Sequence, residues 1–363
     1  MNVLFIANIE LNENEGIYKK ILHQAIGLKK ANKDGWLITK CKKGCKTINL
    51  QNYNFEKNDS SILSKSKEIV LGKNIKLVYI RHMIPSIGLI KFLAWLKKNN
   101  IKIYYEIPTY PYFAEQYRTA KKKYRALAKI ILDIIFWPFI YMYINRLVVI
   151  KSNTKVKIFK KMIEINNGVN ISDLEIKQNF ERNKDQPFRM VAVGTIYPYH
   201  GYDRILKGLY ECSEKVNDRI VEFHVIGESP TIDELKKNAH DLGLKNVIFH
   251  GIKTTNELND MYNMFDVGLG CMALKRRNAD IDTTLKIIEY YCRGIPVVTS
   301  GISPMDNFNK KYTIHVANTE DNISIENIYN EFSKINISEL NKIAYTARKI
   351  FSWEYIIKNA CKW

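Results

Sequence analysis

Short apolar runs recur along the chain, divided by longer stretches in which apolar positions fall three and four residues apart. The runs are too short for helices and fit buried strands, whereas the stretches between them fit amphipathic helices. Val3–Ala7 predicts a strand, Gly16–Ala31 a helix and Gly35–Thr39 a second strand. Leu77–Ile80, Ile101–Glu106 and Leu147–Ile150 predict further strands, with a helix over Ile87–Lys98. Past Asn170 the pattern weakens through the polar segment SDLEIKQNFERNKDQPF, where a linker is expected. A second series follows, with strands at Met190–Val193, Val221–Ile226, Val247–His250, Val267–Gly270 and Pro296–Thr299. Strands alternating with helices argue for parallel sheets, so the expected class is α/β with two doubly wound domains. Such sheets bind ligands beyond the carboxyl ends of their strands, which here carry Gly194, Gly227 and Gly251.

Composition changes this picture little, and charge changes it more. The chain has 363 residues, 46% hydrophobic and 26% charged, as expected of a globular protein with two cores. Its net charge of +19 implies an anionic partner, whether phosphate, nucleic acid or a membrane face. Cys41 and Cys45 are four apart and the other cysteines are scattered, which fits neither a zinc site nor a disulfide framework. No metal is expected. The N-terminal run MNVLFIANIE reads as a first strand rather than a signal peptide, and the expected compartment is the cytoplasm.

One segment carries both charge and apolarity. Arg118, Lys122, Arg125 and Lys129 are spaced as one basic helical stripe, leading into the apolar run IILDIIFWPFIYMYI over 130–144. That run falls short of the roughly 20 residues a span requires, and Asp133 and Pro138 interrupt it. Two readings remain: a buried helix of the first core, or a helix lying on an anionic membrane surface.

Two stretches carry candidate chemistry. In GTIYPYHGYDR, residues 194–204, a strand ends in glycine and runs into a helix, a common phosphate-binding layout that here lacks the repeated glycines of a dinucleotide site. In DIDTTLKIIEYYCRGIPVV, residues 280–298, Thr283 or Thr284 is placed to cap a helix whose first turns present Lys286 and Glu289 on one face. Exposed amides, a hydroxyl and a lysine at a helix N-terminus suit a diphosphate, and Glu289 is placed for ribose or sugar hydroxyls. The alternative is an ordinary capped surface helix with a charge pair.

These residues resemble bacterial glycosyltransferases of family four (glycosyl transferases group 1), of the capsule and surface-polysaccharide type. Thr283-Thr284-Leu285-Lys286, Glu289-Tyr290, Gly294 and Pro296-Val297-Val298 follow that group's C-terminal pattern. Asn167-Gly168-Val169-Asn170, the HGYDR run ending at Arg204, Phe249-His250-Gly251 with Glu257-Leu258 and Tyr262, and Phe351-Ser-Trp-Glu354 add to the likeness. The resemblance implies the GT-B fold, two Rossmann-like domains facing across a cleft. The expected domains are 1–175 for the acceptor, 176–345 for the nucleotide sugar, and a closing helix over 346–363. It implies transfer of a sugar from a nucleotide-diphosphate donor, with UDP expected, and retention of anomeric configuration. The implied donor-binding residues are Gly16, Gly194, Thr195, His200, Gly201, Arg204, Gly227, Glu228, Gly251, Asp282, Thr283, Thr284 and Leu285. Lys286, Glu289 and Glu106 form the implied catalytic set, and Arg81, His82 and Tyr110 line the implied acceptor side.

Three positions depart from the family pattern. Relatives place an arginine after the loop glycine and a lysine further on, where this chain has Thr195 and His200. A neutral histidine would hydrogen-bond phosphate, and a protonated one would neutralise it and make donor binding pH-dependent. The alternative is a strand-end histidine packing between Tyr199 and Tyr202. The first of the family's paired acids falls at Ile281, leaving Asp280 or Asp282 as substitutes. Those aspartates spell a weak D-x-D metal pattern, on which no metal is expected. A histidine common on the acceptor side is replaced by Glu106, either a carboxylate that takes the attacking hydroxyl's proton or orients the sugar, or a strand-end cap. The expected protein needs no cofactor, acts on a saccharide or lipid-linked acceptor at the inner membrane face, and binds no nucleic acid. The competing classes are a sugar-nucleotide epimerase or phosphorylase of the same fold, and a basic nucleic-acid binder.

Overall fold

The apolar runs become the strands of two sheets in the computed structural model, which describes residues 1–10, 16–120, 122–156, 159–178, 180, 185–229 and 231–360. One compact unit comprises Met1–Lys151, Lys155–Val169 and Ser352–Trp363; the other comprises Ser152–Thr154 and Asn170–Phe351. The polar segment after Asn170 therefore lies inside the second unit. There Lys177 donates from Nζ to the Phe265 carbonyl at 2.5 Å.

In the first unit the order is β1 (Asn2–Glu10), α1 (Gly16–Lys30), β2 (Gly35–Lys40), β3 (Cys45–Asn49), β4 (Phe55–Asn58), α2 (Ile62–Gly72) and β5 (Ile75–Arg81). Then come α3 (Ile87–Lys98), β6 (Lys102–Tyr110), α4 (Phe113–Thr119), α5 (Lys123–Tyr143), β7 (Arg146–Lys151) and β8 (Met162–Glu164). The sheet order is β4-β3-β2-β1-β5-β6-β7-β8. β1, β2 and β5 to β8 are parallel, while β3 and β4 join by antiparallel pairing, a hairpin extension that the apolar pattern did not show. α3 starts where the pattern placed it because the Ser86 hydroxyl accepts from the Leu89 amide, a capping bond that satisfies one open donor of its first turn.

The 118–144 segment differs from both a single stripe and a buried core helix. α4 ends at Thr119 and α5 starts at Lys123, so Arg118 and Lys129 sit on separate helices. α5 buries only Ala126, Asp133 and Ile140, one narrow line along its length.

In the second unit β9 (Phe188–Val193), α6 (Tyr202–Glu211), β10 (Lys215–Val216), β11 (Arg219–Ile226), α7 (Ile232–Asp241), β12 (Val247–Phe249) and α8 (Thr255–Met261) come first. β13 (Val267–Leu269), α9 (Leu285–Cys292), β14 (Val297–Thr299), β15 (Thr313–His315), α10 (Ile325–Ser333) and α11 (Ile337–Ile350) follow. Leaving aside the short antiparallel β10, the parallel order is β12-β11-β9-β13-β14-β15. That is the Rossmann order, whose direction reverses between β9 and β13 and opens a crevice at their carboxyl ends.

The last helix, α12 (Trp353–Ala360), returns to the first unit and packs on α1. Gly27 makes this possible, since a Cβ there would lie 2.6 Å from the Trp353 Cβ. Trp353 is 2% exposed, in the core that includes Val3, Phe5, Ala25 and Leu28. Trp353→Ala is expected to cost about 3–5 kcal/mol of stability, the usual range for emptying a large aromatic site. Chemical denaturation measures it; a loss under about 1 kcal/mol would mean that α12 is an accessory to this core.

Candidate functional site

The crevice side of the second unit is built from strand ends. Gly194 follows β9 and its amide donates to the Ile226 carbonyl at 2.9 Å, while the Gly227 amide after β11 donates to the Gly251 carbonyl at 2.8 Å. Gly227 has φ +126°, and a Cβ on it would stand 2.4 Å from the Gly194 carbonyl oxygen. Glycine is required there on both counts. At Gly194 the reason differs: φ is +108°, but nothing lies within 4 Å of an added Cβ, so the space over this turn is open. Thr195 and Glu228, the residues after these two glycines, are both exposed.

The loop beyond Gly194 folds onto itself. Pro198–His200 forms a 3-10 turn and Gly201, at φ +65°, starts α6 against Ala273. His200 is 2% exposed, stacks on Tyr202 at 5.5 Å and meets Tyr199 edge-on at 4.7 Å. Its Nδ1 accepts from the Tyr197 amide at 3.0 Å. Burial, reinforced by Lys286 and Arg277, holds its pKa well below the usual 6.5, so it stays neutral at ordinary pH. This corrects the expectation of a histidine that neutralises phosphate. Arg204 is corrected as well. It is 1% exposed and its guanidinium donates to the carbonyls of Met272, Ala317 and Asp321, closing the loop from within rather than facing a ligand.

The cation that the loop lacks arrives from α9. Lys286 Nζ lies 3.0 Å from the Tyr202 hydroxyl and 3.2 Å from His200 Nε2. Burial lowers its pKa, and the Cys271 and Asp282 side chains pull it back up. α9 is fixed from its other side by Tyr290, whose hydroxyl accepts from the Val193 amide at 3.0 Å. Glu289 is half-buried one turn on from Lys286, with Leu285 and Thr283 half-buried at the helix start.

The helix start is not capped as expected. The Thr284 hydroxyl and amide both donate to Asp282 Oδ1, at 2.7 and 3.1 Å. Asp282 Oδ2 accepts from the Cys271 amide at 2.8 Å and the Thr299 hydroxyl at 2.9 Å. With no exposure and both oxygens engaged, Asp282 is a brace and does not replace the missing paired acid. Asp280 is engaged too, accepting from the Thr154 amide and hydroxyl at 2.8 and 2.5 Å.

Two arginines escaped the sequence reading. Arg277 places its guanidinium 4.8 Å over the Tyr199 ring and bears electrostatically on His200 and Cys271. Arg276 grips both oxygens of Asp203 at 2.8 Å and also reaches Glu320, tying the 3-10 turn Leu274–Arg277 to α6. Neither lies in a motif-like run; the only signal was a basic pair just before the DIDTT stretch. A cavity of about 430 Å³ lies between α6 and α7, lined by Tyr197, Thr231, Glu234 and Asn238. It takes in Gly201 and Arg276 but reaches neither Lys286 nor the strand-end glycines.

In the first unit Arg81 and Glu106 form a closed cluster with Gln24. Glu106 is wholly buried within β6, with Oε2 accepting from Gln24 at 2.8 Å and Oε1 from Arg81 at 3.2 Å. It neither caps the strand nor stands open as a base, which corrects both readings of it. Lys20, unnoticed in the sequence, lies beside this pair; burial, with a smaller push from Arg81, lowers its pKa to about 7 against the pull of Glu106. His82 uses both ring nitrogens, Nδ1 toward the Tyr105 hydroxyl at 3.1 Å and Nε2 toward Asp133 at 3.5 Å. Tyr110 is half-buried at the end of β6. Gly16 opens α1, and the loop before it, residues 11–15, lies outside the described residues.

Residues 187–325 match the family model described as Glycosyl transferases group 1. No curated protein matches the sequence. Among solved structures, sucrose-phosphate synthase from Thermosynechococcus elongatus superposes with a TM-score of 0.61 at 11% identity, covering 99% of this chain and 96% of that one. HepE from Anabaena, in complex with UDP-glucose, gives 0.60 at 12%, covering 100% and 98%. WaaG, a glycosyltransferase involved in lipopolysaccharide biosynthesis, gives 0.56 at 12%, covering 99% and 100%. At such identities the likeness establishes the fold, which is α/β with two Rossmann-like sheets of the GT-B type.

The neutral His200 has a consequence for stability. An unfolded histidine titrates near 6.5, whereas folded His200 resists the proton, so the unfolded chain takes it up first. The associated stability is full above about 6.5 and declines as the pH falls below it. His200→Gln is expected to flatten the fall of Tm between about pH 7 and pH 5. His224 and His250, also lowered mainly by burial, contribute to the slope that remains. An unchanged slope would show that folded His200 takes up the proton as readily as the unfolded chain does.

Proposed function

We propose that the chain is a retaining glycosyltransferase that moves a sugar from a nucleoside-diphosphate donor to a saccharide or lipid-linked saccharide in surface-polysaccharide assembly. The observation that carries this reading is Lys286, held on His200 and Tyr202 at the end of the loop that the open turn at Gly194 begins, inside the matched segment 187–325. In the reaction the bond between the anomeric carbon and the diphosphate oxygen breaks and its electron pair leaves with the diphosphate. The acceptor hydroxyl oxygen bonds to the anomeric carbon and gives up its proton to the departing diphosphate. Negative charge grows on the departing diphosphate, and a fixed, desolvated cation stabilises it more than one free in water does. Lys286 supplies that cation, and Arg277, aligned over Tyr199, supplies a second. The backbone at Gly194 and Thr195 approaches the phosphates, and Glu289 takes a ribose hydroxyl. The reading requires no metal or cofactor. HepE was crystallised with UDP-glucose, which makes UDP-sugars the first donors to try.

The test starts with a thermal-shift panel of nucleotide sugars, followed by transfer assays with the donor that stabilises. Lys286→Ala is expected to lower kcat by about 10²-fold or more, the range for removing one transition-state electrostatic group. Glu289→Ala is expected chiefly to weaken donor binding. Both variants should keep wild-type circular dichroism and melting. Full activity in either one sinks the site assignment, and a panel in which no nucleotide sugar stabilises the protein sinks the reading itself.

A further inference from the structure

We infer that α5 docks the first unit onto an anionic lipid surface, lying along it rather than crossing it. Leu127, Ile131, Ile134, Ile135, Phe139 and Met142 are 47–58% exposed, although each is a large apolar side chain. At 100° per residue they fall on one arc of about 140°, opposite the buried line Ala126–Asp133–Ile140. Soluble surfaces carry single exposed apolar residues, whereas a continuous stripe along a 21-residue helix marks an interaction face. Tyr124, at 65% exposure, and Phe113 and Tyr117 on the neighbouring α4 enlarge the apolar area.

By length and composition α5 is long and apolar enough to cross a bilayer. Its connections forbid this. β6 leads into the α4–α5 crossover and β7 leads out of it, and the two strands are parallel neighbours in one sheet, paired from Tyr104↔Arg146 to Tyr110↔Lys151. The Asn145 amide, directly after the helix, donates to the Ile103 carbonyl of β6. A span would carry the helix ends about 30 Å apart to opposite sides of a membrane, which a single sheet cannot follow. Asp133, which interrupts the apolar run in the sequence, sits on the buried side against His82 and anchors the helix to the unit.

Charge selects the occupant. Lys123, Arg125 and Lys129 are exposed on the first two turns of α5, and the helix's one acid, Asp133, is buried. In a chain of net charge +19, pairing this face with a second copy would bring like charges together. An anionic headgroup layer instead takes up the basic turns while the apolar stripe enters the acyl boundary.

The test uses the whole chain with no donor or acceptor, so its result is separate from that of the transfer reading. In flotation, the protein is expected to rise with vesicles of phosphatidylcholine and phosphatidylglycerol and far less with phosphatidylcholine alone. The triple variant Lys123→Gln, Arg125→Gln, Lys129→Gln should bind the anionic vesicles about a hundredfold more weakly. Ile134→Ser with Ile135→Ser and Phe139→Ser should lose binding to both, with melting unchanged because these side chains are exposed. Three results overturn the inference: no flotation of the wild type, undiminished flotation of the serine variant, or a dimer in light scattering that the serine variant splits.

Discussion

A single buried carboxylate organises the candidate site. Asp282 joins the end of β13 through the Cys271 amide, the end of β14 through the Thr299 hydroxyl, and the start of α9 through Thr284. A carboxyl group without exposure is tolerated only when its oxygens are met by donors, and here four are supplied. The consequence is geometric. The first turn of α9 is locked to the sheet, and Lys286, two residues into the helix, reaches His200 and Tyr202. The other side is locked by Tyr290 on Val193. Replacing either fastening would leave the lysine present and misplaced, and a cation contributes to catalysis only where the developing charge arrives.

The first unit follows a different logic. Its polar residues Arg81 and Glu106 on the sheet and Gln24 and Lys20 on α1 are turned on one another, with Glu106 and Gln24 fully buried. Removing one partner from such a cluster costs more than the cluster contributes, because the remaining group is left desolvated and alone. Its apolar residues on α5, by contrast, are turned outward. Burial and exposure are thus inverted relative to the simple rule, and the inversion on α5 is what points to a surface outside the protein.

Much of the fold was legible because parallel strands buried on both faces leave an unbroken apolar run. β1, β5, β6, β9 and β11 were found at those runs, extended by a few residues each, and α3 was found to the residue. β3 and β4 were missed, since they lie at the sheet margin where the pattern is mixed, and α2, which packs on the central strands, was missed as well. Of the candidate site, the glycines and Lys286 were recognisable from spacing. Arg204 and Asp282 were recognisable as polar residues in the right loops but not as buried braces, because a sequence shows a side chain's chemistry and not the carbonyls or amides it will meet. Arg277 was not recognisable at all, since its role depends on a ring, Tyr199, far away in the chain.

The sequence by itself determined the α/β class, the two series of strands, and the glycines that positive φ and close approach demand. Those properties are local: hydrophobic period and backbone sterics act within a few residues. Only the tertiary structure decided that His200 is neutral and enclosed while Lys286 stands against it, 86 residues further along. Only it decided that α5 faces outward over most of its circumference. Protonation and exposure are set by which atoms surround a group, and for these residues the neighbours come from distant parts of the chain.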